Sequence, residues 1–517
     1  MVQPRKDEPT LVEPALVEPA LVEPVLEPVL VEPVDLRLLP AAVMAWVGAV
    51  VVVLAPLRWT VVTAGCCLGV ATAAVSLRRR WSGSLVLAAG VMAAVLLAGA
   101  AQQQVRWSGR WSQAVAERWN VTVTGTTTTV PAPSGYGGCR YLLDVSALHA
   151  HGSGTVAAAP IQVTGETCQL LAPGAEVSVD GRLGALPTGR AVAGLRAAGP
   201  ARLADEPPAW SSAADQLRAA GQRQAAALPE PLDALLPGIV WGDTAGLDDE
   251  TTEQLRTAGL THLTAVSGAH FAIVVTTVLG LGVALRLGRA VRVAAAVVVG
   301  CALVILVGPQ PSVLRAAVMG AVGVLGLVAG RRSAAPAALA TTVVALLLLD
   351  PWLATELGFQ LSVAATAGIV GLGGGWVRRW SAWVPRPLAV AVAVPLSAQL
   401  AVTPVLLTVT PQVSTYAVLA NLAVAPVVAP VTVLGLLGLA LSVGWSAGAQ
   451  VLVWLAAAGC AWIVQVARTA ADAPGATVAW LPGPLGWAAG TGTVLAVVVL
   501  LSRAPPGRAG ASSARAP

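Results

Sequence analysis

Long apolar runs alternate with short polar segments over most of the chain. A run of about 20 apolar residues can cross a bilayer as an α-helix. The pattern therefore predicts about twelve transmembrane helices, placed at 38–56, 59–77, 85–101, 262–285, 293–308, 313–329, 337–349, 357–375, 388–409, 415–442, 448–467 and 485–502. The runs at 293–308 and 337–349 are short, which leaves open whether they are broken or re-entrant segments.

The polar interval after the third run has a different pattern. Val and Thr alternate over 120–130, and four further stretches with strand character follow, separated by Gly- and Pro-rich turns. These stretches are 140–148, 155–163, 176–183 and 200–204. Five short strands at this spacing favour a small β-barrel of the OB type, with a small sandwich as the alternative.

The ends of the chain and the segment after the barrel lack the spanning pattern. Glu-Pro recurs six times between residues 8 and 33, and proline at that frequency blocks a helix, so 1–37 is predicted to be a disordered tail. Capping serines and later prolines predict amphipathic connecting helices within 209–258. The other predicted units are N-terminal transmembrane helices (38–101), the β domain (102–208), a membrane core (259–502) and a disordered tail (503–517).

Composition excludes an ordinary soluble enzyme. The 517 residues are 56% hydrophobic and 11% charged, against about 25% charged residues in soluble domains. Lys6 is the only lysine, so the chain has no Walker A loop with which to hydrolyse ATP. The predicted fold class is a mainly α-helical polytopic membrane protein with one small extracytoplasmic β-barrel domain.

The arginines orient the predicted helices. With the N-terminus inside, arginines at 78–80, 286–292, 331–332, 378–386 and 503–515 all fall in cytoplasmic loops, as the positive-inside rule requires. Both termini are then cytoplasmic, the protein is multi-pass in the cytoplasmic (inner) membrane, and the β domain lies outside. That domain holds eight arginines and seven acidic residues, which is not the concentrated positive patch of a nucleic-acid-binding surface.

The cysteines and histidines suggest one disulfide and no metal site. Cys139 and Cys168 lie in the β domain, where an oxidising compartment favours a disulfide, although two free thiols remain the alternative. His149 and His151 lack a third ligand at suitable spacing, and zinc needs three or four. No metal or cofactor is predicted.

Polar residues interrupt the later apolar runs. His262, Ser267 and His270 enter one run, and Arg315 lies in the first turn of another. Polar groups at membrane depth are costly unless they find partners or face a wet path. Ser267 and His270 are three apart and share a helix face. Their pairing leaves helix packing, an aqueous path or nucleophilic catalysis open, although no acidic residue in the run orients the histidine.

Four sequence blocks carry a resemblance. They are G-L-T-H-L-T-A-V-S-G-A-H at 259–270, P-S-V-L-R-A-A-V-M at 311–319, D-P-W-L-A-T-E-L-G-F-Q-L-S-V-A-A-T at 350–366 and A-N-L-A-V-A-P at 420–426. Their order, together with an external OB-like domain before the membrane core, resembles the ComEC family of competence proteins.

The resemblance implies a channel that passes single-stranded DNA into the cytoplasm during natural transformation. Its blocks assign the channel path to His262, Ser267, Gly268, His270, Arg315, Gln360, Ser362 and Asn421. Many family members add a nuclease domain with H-x-H-x-D-H, which this chain lacks, so no enzymatic activity and no catalytic residue are expected. A permease for another solute and, less favoured, an intramembrane hydrolase are the alternatives.

Partners follow from the same resemblance. The expected ones are single-stranded DNA, an extracytoplasmic DNA receptor, a cytoplasmic ATP-driven DNA translocase, a separate nuclease and the lipid bilayer. A homo-oligomer is left open. The translocase is required because a chain without an ATP-binding loop cannot itself pull DNA.

Overall fold

A computed structural model describes most of residues 37–503. The segments outside the described residues within that range are 77–81, 108–110, 130–131, 134–137, 151–152, 167–170, 172–173, 187–188, 206–207, 265, 309–310 and 329–334. The predicted terminal tails, His151 and Cys168 also lie outside the described residues.

The described chain is mainly helical, in agreement with the predicted class. Before the membrane core the helices are α1 (Leu39–Leu54), α2 (Leu57–Ser76), α3 (Ser82–Arg106), α4 (Trp111–Ala116), α5 (Ala209–Ala225), α6 (Leu232–Trp241) and α7 (Asp249–Thr257). The core contains α8 (Gly268–Ala284), α9 (Arg289–Val307), α10 (Pro311–Val328), α11 (Ala335–Leu349), α12 (Leu357–Gly368), α13 (Gly374–Trp380), α14 (Arg386–Leu406), α15 (Ala417–Leu441), α16 (Ser446–Asp472) and α17 (Gly483–Ser502). Short 3-10 turns at Thr261–Leu263 and Pro351–Thr355, and a π-helical stretch at Ile369–Gly373, link some of them.

Eight helices in the described residues are long and apolar enough to cross a membrane. They comprise α2, α3, α9, α14, α15, α16, α17 and the combined stretch Leu357–Trp380. Four predicted spans correspond to shorter apolar helices or parts of helices, at Leu39–Leu54, Gly268–Ala284, Val313–Val322 and Ala335–Leu349. Local signals shorten two of them: Pro40 and Pro56 bracket the first, and Ser267 caps the second.

The β domain is a closed barrel of five strands. These are β1 (Asn120–Thr127), β3 (Cys139–Ala150), β4 (Ser153–Gly165), β5 (Glu176–Gly184) and β6 (Ala193–Ala197), with the two-residue strands β2 (Ala132–Pro133) and β7 (Arg202–Leu203) attached at the side. The order is β1-β3-β4-β6-β5, and β5 pairs back onto β1. All barrel pairings are antiparallel except that of β4 with β6. Alternate residues fill an apolar interior.

The barrel contacts the membrane helices through an arginine. Arg190 Nη2 lies 3.0 Å from Asp350 Oδ2 and its Nη1 lies 3.9 Å from Glu356 Oε1, at the two ends of the Pro351–Thr355 turn. Arg106, at the end of α3, donates to the Arg190 carbonyl at 3.1 Å and stacks on Trp352, 3.4 Å from the ring centroid. The barrel is thereby tied to the loop before α12.

Helix α6 and the segment before it pack inside the helical bundle. Leu228, Leu235, Ile239 and Trp241 belong to the same buried apolar cluster as residues of α8, α9, α15 and α16. Both ends of the bundle can be identified, because β8 (Gln412–Ser414) pairs with β9 (Thr477–Ala479) and joins the α14–α15 and α16–α17 loops at one end. The α15–α16 turn lies at the other end.

Candidate functional site

Arg315 is the buried charged residue at the centre of the site. Its side chain extends from α10 and the residue is 6% exposed. Nε donates to Ser362 Oγ at 2.6 Å, and Nη1 donates to Thr366 Oγ1 at 3.1 Å and to Met319 Sδ at 3.1 Å. No carboxylate in the described part of the chain forms an ion pair with it. Within the described residues, the guanidinium is therefore held by neutral groups.

The N-terminus of α8 lies against this guanidinium. A Cβ built on Gly268 would be 2.5 Å from Arg315 Nη2, so only glycine allows this approach. Gly268 is the first residue of α8, where backbone N–H groups have no partner within the helix. A helix N-terminus carries partial positive charge. A cation thus faces the positive end of a helix, an arrangement that an anion would stabilise.

His270 caps its own helix and has a defined hydrogen-bonding state. The Ser267 backbone N–H donates to His270 Nδ1 at 3.0 Å, so Nδ1 is an acceptor and the neutral ring carries its hydrogen on Nε2. The residue is 1% exposed. Among the described residues, Nε2 has no hydrogen-bond partner although it is buried. The ring therefore presents a buried donor that no group in the described residues accepts.

The same contacts argue against a hydrolytic pair. Ser267 Oγ lies 3.1 Å from His270 Nδ1, a distance that would suit a nucleophile and its base. That nitrogen, however, already accepts the Ser267 backbone N–H, and no acidic partner bonds Nε2 within the described chain. A nucleophile–base pair needs a third group to orient the base. The geometry is that of a helix cap.

Asn421 fastens the segment that precedes α8. Its Nδ2 donates to the Ala417 carbonyl at 2.8 Å and to the Gly259 carbonyl at 3.4 Å. Gly259 has φ of +71°, and a Cβ there would lie 2.6 Å from Ala417 Cβ. His262 follows in the Thr261–Leu263 turn with its side chain exposed. Asn421 thus affects the site indirectly, by holding the backbone of the segment that precedes α8.

Gln360 lies near the start of α12. Its Nε2 donates to the Ala354 carbonyl at 2.9 Å and so joins α12 to the Pro351–Thr355 turn. Ser362 and Thr366, which follow on α12 one turn apart from each other, reach Arg315. The structure therefore brings Gly268, Arg315 and Ser362 into direct contact, with Ser267 and His270 on the adjoining turn. Gln360 and Asn421 hold the surrounding segments.

Two partners of Arg315 were missed in the sequence analysis. Thr366 and Met319 each lie four residues from a predicted site residue, Ser362 and Arg315 respectively. Residues four apart lie on one face of a helix, so this spacing was an available signal. It was not distinctive, because Thr and Met are common fillers of apolar helices.

The remaining predicted residues lie apart from this site. Cys139 is disulfide-bonded, while Cys66, Cys67, Cys301 and Cys460 are free. Because Cys168 is outside the described residues, its pairing with Cys139 stays a prediction. No group of three or more potential metal ligands occurs in the residues that the structure describes.

The acidic run at 248–250 has a structural role at the start of α7. Asp248 Oδ1 accepts the Thr251 N–H at 2.6 Å and caps the helix, which holds the pKa of this carboxyl below its ordinary value. Asp249 and Glu250 occupy the first turn, where negative charge complements the helix dipole.

Comparison with known proteins identifies the family. ComE operon protein 3 of Bacillus subtilis (strain 168) is 29% identical over 143 residues, which are 28% of this chain and 18% of that protein. No solved structure matches the chain. The family model described as Competence protein matches residues 239–505, more than half of the chain. That stretch includes the Arg315 cluster and all four blocks on which the resemblance rests, and the chain belongs to the competence protein family.

Proposed function

We propose that this chain forms a passage through the cytoplasmic membrane for single-stranded DNA during natural transformation. Membership of the competence protein family supports this role. The single observation that carries it is the chemistry around Arg315: a buried guanidinium held by neutral groups, beside the positive end of α8 and a histidine with an unused donor.

The energetic cost of Arg315 supports an anionic substrate. Arg315 lies near the start of α10, where an arginine costs less than the roughly 2.5–3.5 kcal/mol of a span centre, but its burial withdraws the charge from water. Hydroxyl partners offset part of that cost but supply no negative charge, and Nη2 has no hydrogen-bond partner among the described residues. A phosphodiester oxygen passing this point would supply both a charge and an acceptor. An uncharged solute would supply no negative charge to Arg315, and the guanidinium would give no selectivity for such a solute.

The barrel and the topology complete the proposal. The closed order, with the third barrel strand parallel to the fifth, supports an OB-type barrel. Its nearly balanced charge suits a guide above the membrane core better than a tight DNA-binding module.

We place twelve spans in the cytoplasmic membrane with the barrel outside and both termini inside. Reporters fused after Pro208 and Arg503 should then read outside and inside, and an inside signal at Pro208 would overturn the orientation.

No reaction is assigned to the chain itself. A gradient or a cytoplasmic ATP-driven translocase would supply the force, and a separate nuclease would process the second strand. A DNA receptor outside the membrane would deliver the substrate to the barrel. These partners are part of the proposal, because the curated relative matches this chain over less than a fifth of its own length.

The decisive experiment is a transformation assay that scores uptake separately from surface binding. Arg315→Ala should abolish most uptake while the protein remains at normal abundance in the membrane. Arg315→Lys should recover part of it if charge alone suffices, and little if the planar guanidinium is needed. The matched controls are Arg503→Ala, which removes an exposed arginine, and Asp249→Asn with Glu250→Gln, which spares the Asp248 cap; both should leave uptake unchanged.

The same variants separate the alternatives. If Arg315→Ala lowers uptake only in proportion to the amount of folded protein, Arg315 is a structural residue. If deletion of the whole chain leaves DNA uptake intact but abolishes growth on a particular solute, the chain is a permease of another class. Either outcome would overturn the proposal.

A further inference from the structure

The membrane core has almost no negative charge of its own. Between residues 259 and 471, the only acidic residues in the sequence are Asp350 and Glu356. Both face Arg190 of the barrel, at 3.0 Å and 3.9 Å respectively. Any other cation that is buried in the core therefore has no carboxylate of the core left to balance its charge.

Arg315 is such a cation. The residue is 6% exposed, and in the described part of the chain its guanidinium contacts the neutral groups of Ser362, Thr366 and Met319. Those contacts use Nε and Nη1, so no described residue accepts a hydrogen bond from Nη2. Burying an unpaired charge costs far more than burying a neutral polar group. An anion in contact with Nη2 would therefore stabilise the folded state.

The first turn of α8 brings more donors to the same place. A Cβ built on Gly268 would lie 2.5 Å from Arg315 Nη2, so the guanidinium is aimed at the start of this helix. The backbone N–H groups of Gly268 and Ala269 have no acceptor among the described residues, as is expected for the first amides of a helix. They also carry the positive end of the helix dipole. Two elements thus offer hydrogen-bond donors to one small space.

The surroundings of this turn favour a small ion. Ala269 is exposed, and Ser267 and Gly268 are half-buried, so an ion can reach the amides without opening the bundle. The charge to be balanced is that of one guanidinium, and a monovalent anion balances it without excess. Chloride has no directional requirement of its own, so it can accept from a guanidinium and from helix amides together.

We propose that chloride binds at the first turn of α8, between Gly268 and the guanidinium of Arg315, as the counter-ion of this buried arginine. The ion accepts from Arg315 Nη2 and from the first amides of α8, and it stabilises the membrane core when no DNA is present. The chloride site stands on the contacts and charges given above. Its displacement by the phosphates of a passing strand rests on the proposed function.

The chloride dependence of thermal stability tests this site. The full-length protein is melted in detergent while gluconate replaces chloride at constant ionic strength, so that screening does not change. The melting temperature of the wild type should rise with chloride and saturate as for a single site. Arg315→Gln should raise the chloride concentration that gives half of this rise roughly 10- to 100-fold. The control Arg503→Gln removes an exposed arginine and should respond as the wild type does.

A second variant keeps the test decisive if Arg315→Gln does not fold. Ser362 Oγ lies 2.6 Å from Arg315 Nε, so Ser362→Asp gives the guanidinium a fixed carboxylate. The melting temperature of this variant should no longer depend on chloride. A wild-type melting temperature that is independent of chloride, or a chloride response that Ser362→Asp retains, would overturn the inference. A larger rise with inorganic phosphate than with chloride would overturn chloride as the occupant.

A single-stranded oligothymidylate separates this inference from the proposed function. Added to the wild type at a half-saturating chloride concentration, it should increase the amount of chloride needed for the same melting temperature, because its phosphates compete for Arg315. If the variants confirm the chloride site but the oligonucleotide leaves the chloride response unchanged, the ion site holds and the strand does not reach Arg315. That outcome would contradict the proposed function alone.

Discussion

Gly268 leaves the space that the guanidinium of Arg315 fills: a Cβ at position 268 would lie 2.5 Å from Nη2. The two residues belong to different predicted blocks, and their contact joins the start of α8 to α10. The absent side chain is thus as much a part of the site as the arginine is, because a Cβ at 268 would force the end of the Arg315 side chain to move.

The Gly268–Arg315 contact predicts that alanine substitutions at two glycines of α8 have different effects on DNA uptake. Gly268→Ala should reduce DNA uptake strongly, since the displaced arginine loses a charge-assisted hydrogen bond worth about 1.5–3 kcal/mol, or roughly 10- to 100-fold. Gly280→Ala is the control, because nothing lies within 4 Å of a Cβ there and alanine favours the helix by about 1 kcal/mol. Uptake is normalised to membrane abundance. Equal effects of the two substitutions would show that the contact is unimportant.

Gly259 should be sensitive for two separable reasons. Its φ of +71° disfavours any other residue by roughly 1–2 kcal/mol, and a Cβ would also meet Ala417 at 2.6 Å. Gly475 shares the positive φ, at +67°, without a neighbour within 4 Å. In detergent, Gly259→Ala should therefore lower the melting temperature more than Gly475→Ala does. If the two variants lose similar amounts of melting temperature, backbone strain alone explains the sensitivity of Gly259, and the contact with Ala417 does not contribute.

The local parts of this architecture could be predicted from the sequence, whereas the tertiary contacts could not. Apolar runs and the Val–Thr alternation depend on the periods of helix and strand, and these gave the membrane helices and the barrel. The three-residue spacing of Ser267 and His270 likewise predicted a shared face. Arg315 finds Ser362 and Thr366 across 47 and 51 residues, and no local pattern indicates which helices become neighbours in an apolar bundle.

The disulfide prediction can be tested by counting thiols. The chain has six cysteines, of which Cys139 is bonded and four described ones are free. Denatured, unreduced protein should take up four maleimides by mass, and reduced protein six. A bond from Cys139 to Cys168 closes a loop of about 28 residues, for which chain entropy gives roughly 3–4 kcal/mol. Uptake of six maleimides without reductant would contradict the pairing.

Glu356 should make stability depend on pH at the junction between barrel and core. Burial raises the pKa of this carboxyl, Arg190 opposes the rise and Asp350 adds to it. The folded state therefore holds a proton that the unfolded state has released, so stability falls as the pH rises from the ordinary glutamate pKa of about 4.3 through the raised folded value. Above that pH range, the contribution of the protonated Glu356 to the stability of the folded state is completely lost. The side chain is 29% exposed, which moderates the effect.

Two variants isolate this contribution in the full-length protein. Glu356→Gln cannot titrate, so its melting temperature in detergent should fall less than that of the wild type as the pH rises from about 4 to 7. Arg190→Ala removes the group that opposes the rise, so the decline should extend to higher pH than in the wild type. A wild-type profile identical to that of Glu356→Gln would show that this carboxyl titrates normally. A shift to lower pH in Arg190→Ala would mean that Arg190 does not face Glu356 in solution.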